Sequence, residues 1–374
     1  MTKYKVPVNE PYLSGNEKKY ILRCLDDGFI SSAGSFVEKF EKKFAKIVNR
    51  KFAVSVVNGT AALQLAFESL NLKKGDEVIL PSFTIISCAL PIVRTGAKPV
   101  LVDSDPDTWN MNVKHVQKKI TSKTKAIIAP HIYGLPIDMD PLLKIAKKNN
   151  LKIIEDAAEV LGLKYKNKKC GSFGDVSTFS FYANKHITTG EGGMIVTNDK
   201  KIAEKCRSLR NICFNNKRRF LHHELGWNYR FTNLQSAIGL AQLEKLNKFV
   251  NKKRSIGKIY NKELSKIHEF DVPLNKTKYA ENIYWVYGIV LKKRSKISLE
   301  TLMKILKKYG VETRNFFWPL HKQPVFKKMG LFRKTKFPVA ENLAKNGLYL
   351  PTGLSLTLSQ QKFVINKIKK IFKK

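Results

Sequence analysis

Lys185 stands apart from the many other lysines of this chain. It lies in STFSFYANKHITTGEGG (177–193), between a strand-like run and a Gly-Glu-Gly-Gly turn that opens into MIVTN. Its neighbours are aromatic and apolar. Such surroundings lower an amine's pKa and favour nucleophilic work, whereas the plain alternative is a surface-loop lysine. A second stretch, IIEDAAE (153–159), ends an apolar run in carboxylates. Open α/β sheets bind ligands at such strand ends, so Asp156 is a candidate to face a cationic group; the plain alternative is a solvated strand end. The third stretch is VNGTAAL (57–63), an apolar strand running through Asn-Gly-Thr straight into a helix. Free N–H groups at a helix start, with Gly59 allowing close approach and Thr60 adding a hydroxyl, suit an anion, although Asn and Thr are also ordinary caps. It is neither a G-x-G-x-x-G nor a Walker loop, which weakens dinucleotide and nucleoside-triphosphate readings. A phosphate cradle, a carboxylate for a pyridinium nitrogen and a lysine for a Schiff base are together what pyridoxal 5′-phosphate requires. In PSFTIIS (81–87), Phe83 is then placed to stack on the ring, its plain alternative being core.

These residues need a scaffold. Helical patterns at Glu17–Asp27, Phe36–Val48 and Ala61–Leu70 alternate with β-rich runs. The runs are Phe52–Val57, Glu77–Leu80, Lys98–Val102, Ala126–Pro130, Leu151–Ile154, Ser177–Phe181 and Met194–Thr197. That alternation predicts an α/β fold with a mainly parallel sheet flanked by helices. AVSVV and AIIAP are apolar almost throughout, as strands covered on both faces are. One long helical pattern, Leu234–Tyr260, follows. Beyond it, YWVYGIVL reads as a strand, SLETLMKILKKYG as a helix closed by Gly310, and LSLTLSQQKFVINKIKKIFKK as a strand leading into a terminal helix. The expected division is a large domain over 1–249 and a smaller α+β domain over 250–374.

The 374 residues carry a net charge of +39, from 57 Lys and 12 Arg against 30 acidic residues. Nucleic-acid binding is the first thought. Groove readers favour arginine, and here lysines spread over nearly every helix face, so a lysine-rich codon bias is the cheaper account. No nucleic-acid partner is expected. With 43% hydrophobic residues the chain is not a disordered one. No apolar run approaches the length of a membrane helix, and the start MTKYKVPVNE lacks a secretory pattern. The five cysteines are scattered and never in C-x-x-C spacing, which disfavours structural zinc or disulfides and fits a reducing cytosol. No metal is expected.

Over nearly its whole length the chain resembles the DegT/StrS-type sugar aminotransferases, which are fold-type-I pyridoxal-phosphate enzymes. Within them it is most similar to the perosamine- and viosamine-forming 4-aminotransferases. The matching stretches include VNGTAALQLA, GDEVILPSFTIISCALPI, IIEDAAEVLG, FSFYANKHITTGEGGMIVTND, GWNYRFTNLQSAIGLAQLEKL and TRNFFWPLHKQP. The resemblance implies that Lys185 carries the cofactor and moves the proton, and that Asp156 pairs with the ring nitrogen. Glu159 would sit near the ring hydroxyl, with Gly59, Thr60 and Ser180 on the phosphate and Phe83 on the ring face. Asn228, in GWNYR, matches an Asn that reaches the phosphate from a second subunit, which implies a homodimer with composite sites. Ser31, Ser32, Arg219, Tyr229, Arg314 and His321 match regions lining the nucleotide-sugar pocket. The implied reaction moves an amino group from glutamate to C4 of a nucleotide-linked 4-keto-6-deoxyhexose. The loop Asn211–Phe214 departs from the short His- or Gln-bearing turn of many relatives. A related branch, the 3-dehydratases, has His where Lys185 stands; lysine here argues for transamination. A 3-aminotransferase, a dehydratase, or a non-catalytic basic nucleic-acid-binding protein on the same fold are the alternatives.

Overall fold

A computed structural model describes residues 4–215 and 217–373. Seven strands form the large sheet: β1 (Phe52–Val56), β2 (Glu77–Pro81), β3 (Lys98–Val102), β4 (Thr124–Pro130), β5 (Lys152–Asp156), β6 (Val176–Ser180) and β7 (Gly193–Thr197). Their spatial order is β1-β7-β6-β5-β4-β2-β3. Six run parallel and β7 runs antiparallel to both neighbours, β1 and β6. Side chains on both faces are buried, hence the continuous apolar runs.

Helices cover the faces. Helix α1 spans Glu17–Asp26 and α2 spans Ser35–Ile47. On α2, Phe36, Phe40 and Phe44 recur every four residues, on one buried face. Phe40 and Phe44 meet Phe181 edge-on at 5.3 and 5.4 Å. Truncating such a ring to alanine costs about 3–5 kcal/mol. Helix α3 (Gly59–Glu68) starts where β1 ends, and Asn58 caps it by accepting from the Ala61 amide at 2.8 Å. It is almost wholly buried, so it needs no polar face.

The pattern expected as one helix over Leu234–Tyr260 is two, α4 (Asn233–Glu244) and α5 (Leu246–Leu264). Lys245 leaves helical backbone at φ −104°, ψ 1°. The break lets the two apolar stripes face different partners: α4 packs on α1 and α2, whereas α5 runs on to the second unit. There β8 (Phe270–Asp271), β9 (Tyr287–Leu291), β10 (Arg314–Asn315) and β11 (Gly347–Leu350) form an antiparallel sheet, ordered β8-β9-β11-β10. Helix α6 (Leu299–Lys308) and the terminal helix α7 (Leu358–Phe372) cover it. Gly310 closes α6 with φ +75°, the left-handed conformation glycine adopts freely. The strand expected in LSLTL is absent. Pairing ends at Leu350 because Pro351 has no N–H to donate, and β11 upstream does the pairing. Val6 belongs to this second core, pairing with Val311, and the Thr352 amide donates to the Val8 carbonyl at 3.0 Å.

Candidate active site

The ends of β1, β5 and β6 and the loop after β2 surround a cavity of about 400 Å³. Asn58, Gly59 and Thr60 line it from the start of α3, Asp156 and Glu159 from the end of β5, and Ser180 and Lys185 from the β6–β7 connection. Trp285, Phe317 and Tyr349 close it from the second unit. The three stretches singled out above therefore converge, at the carboxyl ends of parallel strands.

Strand pleating separates the two adjacent carboxylates. Glu155 turns away from the cavity into a buried network: His131 Nε2 at 3.0 Å, the amides of Gly171 and Phe173 at 2.6 and 2.9 Å, and the Ser177 hydroxyl at 2.9 Å. Burial alone would raise its pKa, but the His131 bond and those amides outweigh it and bring it to about 2. His131, Glu155 and Cys170 lie close enough to suggest a metal. The His131 ring is already committed, however, since Nδ1 accepts from the Ile137 amide at 3.1 Å while Nε2 donates to Glu155. No imidazole lone pair remains for an ion.

Asp156 points the other way. Its Oδ1 accepts from the Ala158 amide at 3.1 Å and its Oδ2 from the Cys88 thiol at 3.4 Å. Burial pushes its carboxyl above the ordinary range. Glu159 Oε2 accepts from the Tyr133 amide at 2.7 Å, and Oε1 lies 3.7 Å from Lys185 Nζ. Burial raises Glu159 to about 7 against the opposing pull of the lysine. Burial lowers Lys185, with Glu159 and Asp156 offsetting part of that. A buried amine facing two buried carboxylates is the constellation expected of a functional site.

At the other end of the cavity, Thr60 Oγ1 lies 2.9 Å from Ser87 Oγ. A methyl group on Gly59 would meet Ser180 Cβ at 2.8 Å, so the backbone approaches as closely there as only glycine allows. Hydroxyls and the free N–H groups of a helix start are the donor set of a phosphate cradle, and Asp156 is a buried carboxylate whose hydrogen bonds, among the described residues, come only from an amide and a thiol. These residues fit pyridoxal 5′-phosphate.

Two expectations fail. Phe83 is fully buried and does not line the cavity: it packs against Tyr133, Phe316 and Phe317 at about 6 Å, where a large ring buries more surface than at the rim. Thr84 and Ile85 of the same segment face the cavity instead. His321 is buried, with Nδ1 2.7 Å from Ser82 Oγ and Nε2 2.9 Å from Glu341 Oε1, so both nitrogens hold the fold together and none is left for substrate. The remaining candidates lie off the cavity. Asn228 is exposed and pairs through its backbone with Asn211. Tyr229 stacks on Trp227 at 5.2 Å, and Arg219 lies over Phe214 in an exposed loop. The Ser31 carbonyl accepts from the Asn233 amide at 2.7 Å, and Ser32 lines a separate cavity with Arg207, Arg210 and Arg230. Arg314 is exposed on β10, opposite the cavity residue Tyr349. Sequence reasoning missed Ile85, Ser87, Trp285, Phe317 and Tyr349. Ser87 sat within the PSFTIIS stretch; the other side of the cavity comes from distant segments that carry no local signal.

This site on this sheet defines a fold-type-I, pyridoxal-phosphate-dependent transferase. Residues 11–369 match the DegT/DnrJ/EryC1/StrS aminotransferase family, and the chain belongs to it. It is 42% identical to GDP-perosamine synthase of Escherichia coli O157:H7, covering 98% of each chain. It is 40% identical to GDP-perosamine synthase of Vibrio cholerae, covering 98% of this chain and 99% of that one. Among solved structures it is similar to Helicobacter pylori PseC, an aminotransferase involved in the biosynthesis of pseudoaminic acid, with a TM-score of 0.93, 26% identity and coverage of 98% and 99%. The protein is thus a transaminase that uses pyridoxal 5′-phosphate.

Proposed function

We propose that the protein moves an amino group from glutamate to C4 of a GDP-linked 4-keto-6-deoxyhexose, giving a 4-amino-4,6-dideoxy sugar nucleotide of the perosamine type. The observation that carries this reading is the 40–42% identity to GDP-perosamine synthases over nearly the full length of both chains. Bound pyridoxal 5′-phosphate supplies a reactive carbonyl and an electron-accepting ring. The chain's own residues do the rest. Lys185 Nζ is the amine that would hold the cofactor and, when free, would take and return the proton. Asp156 would hold a positive charge on the ring nitrogen, which its buried position would make valuable. Gly59, Thr60, Ser180 and Ser87 would hold the phosphate, and Glu159 would lie on the side of the ring hydroxyl. Ile85 takes the ring-face role first given to Phe83.

We further infer a cytoplasmic homodimer with shared sites, in which Asn228 reaches the partner's phosphate. The exposure of the adjacent Phe29 and Ile30, and of Phe220, Leu221 and Leu225 within one short segment, supports a second copy as occupant, because runs of large apolar side chains seldom stay uncovered. Among the described residues, no helix is long and apolar enough to cross a membrane. The test is a panel of GDP-, UDP- and dTDP-linked 4-keto-6-deoxyhexoses with glutamate. Turnover of the GDP sugar above the others is expected. Turnover of a UDP or dTDP sugar alone removes the nucleotide assignment, and turnover of none removes the substrate class.

A further inference from the structure

Lys253 is almost completely buried on α5, and among the described residues no carboxylate pairs with it. Its Nζ donates instead to two backbone carbonyls, Trp285 O at 2.9 Å and Thr352 O at 2.6 Å. A buried lysine without an anion is costly and needs a reason. Both carbonyls belong to the second unit, one just before β9 and the other just after β11. Trp285 itself is buried and makes two contacts with the Lys185 loop. Its indole Nε1 donates to the Asn184 carbonyl at 2.9 Å, and its ring centroid lies 3.6 Å from Lys185 Nζ. Asn9 Nδ2 reaches the same Asn184 carbonyl at 3.2 Å. The residue preceding Lys185 is thus held from two sides, and the amine lies against an aromatic face.

We propose that Lys253 and Trp285 form a positioning latch: Lys253 fixes the Trp285 main chain, and the indole then gives the Lys185 amine a fixed resting place as an ammonium whenever its nitrogen is not covalently engaged. This rests on Lys185 being the cofactor lysine. A ring face attracts a cation, more strongly when water is excluded. The other charged or titratable groups facing Lys185 are Glu159 and Asp156 from the end of β5, Cys88, and the buried neighbour His186. His186 in turn faces Lys253 and Arg254. The carboxylates also favour an ammonium, and Glu159 draws it from one side; the indole adds a flat face as the other contact. Lys253 touches no reacting atom and acts only through Trp285.

The test mixes apo-protein with pyridoxal 5′-phosphate at a series of pH values and follows growth of the visible absorbance band. Capture needs the neutral amine, because only its lone pair attacks the carbonyl, with loss of water. The midpoint of the rate against pH therefore reports where free Lys185 loses its proton. Removing the ring in Trp285→Leu is expected to lower that midpoint by about one pH unit, the size of a desolvated cation–π contact. Trp285→Phe keeps a ring, and its midpoint should fall between. Lys253→Met, which loses both donors, should shift it in the same direction by less, and Lys253→Gln, which keeps two N–H donors, should restore part of the shift. A band that forms in Trp285→Leu with the wild-type midpoint overturns the latch while leaving the cofactor lysine in place. If Trp285→Leu shifts but both Lys253 variants keep the wild-type midpoint, Lys253 has no part and the latch is overturned. If neither Lys253 variant folds, the Trp285 pair decides. Absence of a band in the wild type, or its persistence in Lys185→Ala, overturns the reading of Lys185 and takes the latch with it.

Discussion

Glu155 and Asp156 are adjacent carboxylates that point into opposite surroundings. Glu155 is saturated by His131, amides and a hydroxyl, and is held at about 2. Asp156 receives few donors, and burial pushes it up. A buried carboxylate in that state gains most from a cationic partner such as a protonated ring nitrogen. Asp156→Asn should therefore lose roughly a hundredfold in kcat, about 3 kcal/mol of barrier, with the fold retained. Steady-state kinetics beside a thermal melt checks this, and a kcat near wild type would return Asp156 to the role of a strand end. His321 makes the opposite case. Its residue type and motif suggested substrate, yet both nitrogens are occupied by Ser82 and Glu341. His321→Ala should cost about 1–3 kcal/mol of stability by leaving those partners unmet. The KM for the sugar nucleotide should stay near that of the wild type, and a large rise in KM without loss of stability would restore His321 to the substrate pocket.

At the scale of elements, β1 to β7 were legible because their apolar runs are short, doubly buried and bounded by turns. Lys185, Asp156, Gly59 and Thr60 could be singled out for a related reason: each sits where such a run stops, and the fold brings all four to one cavity. The break at Lys245 was not legible, since the residue is an ordinary helix former and only the different partners of α4 and α5 require it. Strand β11 was missed in favour of LSLTL because both segments alternate, and Pro351 decides between them. Phe83 was misread because aromatic type says that a ring will be covered, not by what. Trp285 was read only as part of a strand, since nothing local shows that α5 fixes its backbone. Lys253 on α5 yields a test at this scale. Burial lowers it to about 7, while an unfolded lysine keeps its proton to about 10.4. Between those values the unfolded chain holds the extra proton, so this group's contribution to stability rises with pH, by up to about 1.4 kcal/mol per unit. Below about 7 both states are protonated and the penalty is complete. Denaturant melts of wild type and Lys253→Met from pH 7 to 9.5 should show the difference moving in favour of wild type as pH rises. A constant difference would mean that Lys253 does not lose its proton in the folded protein.

At the scale of the whole molecule, the cavity is closed by segments far apart in sequence, and Asn228 lies outside it on an exposed surface. If Asn228 completes a neighbour's site, a mixed dimer of Lys185→Ala and Asn228→Ala chains has one site with both lesions and one with neither. Activity near half of wild type should return on mixing, provided each variant alone is defective. Subunit exchange shown by mass, with no activity regained, would contradict the shared site. The excess of lysine needs no partner in this account, since it is spread over solvated helix faces. The central claim is amino transfer to C4, and one measurement reaches it directly. The protein is incubated with glutamate labelled at its nitrogen and a GDP-linked 4-keto-6-deoxyhexose, and the sugar product is examined by NMR. The account predicts the label bonded to C4, with the 3-hydroxyl intact and 2-oxoglutarate formed in equal amount. Label at C3, or a product that has lost its 3-hydroxyl and carries no label, would contradict it.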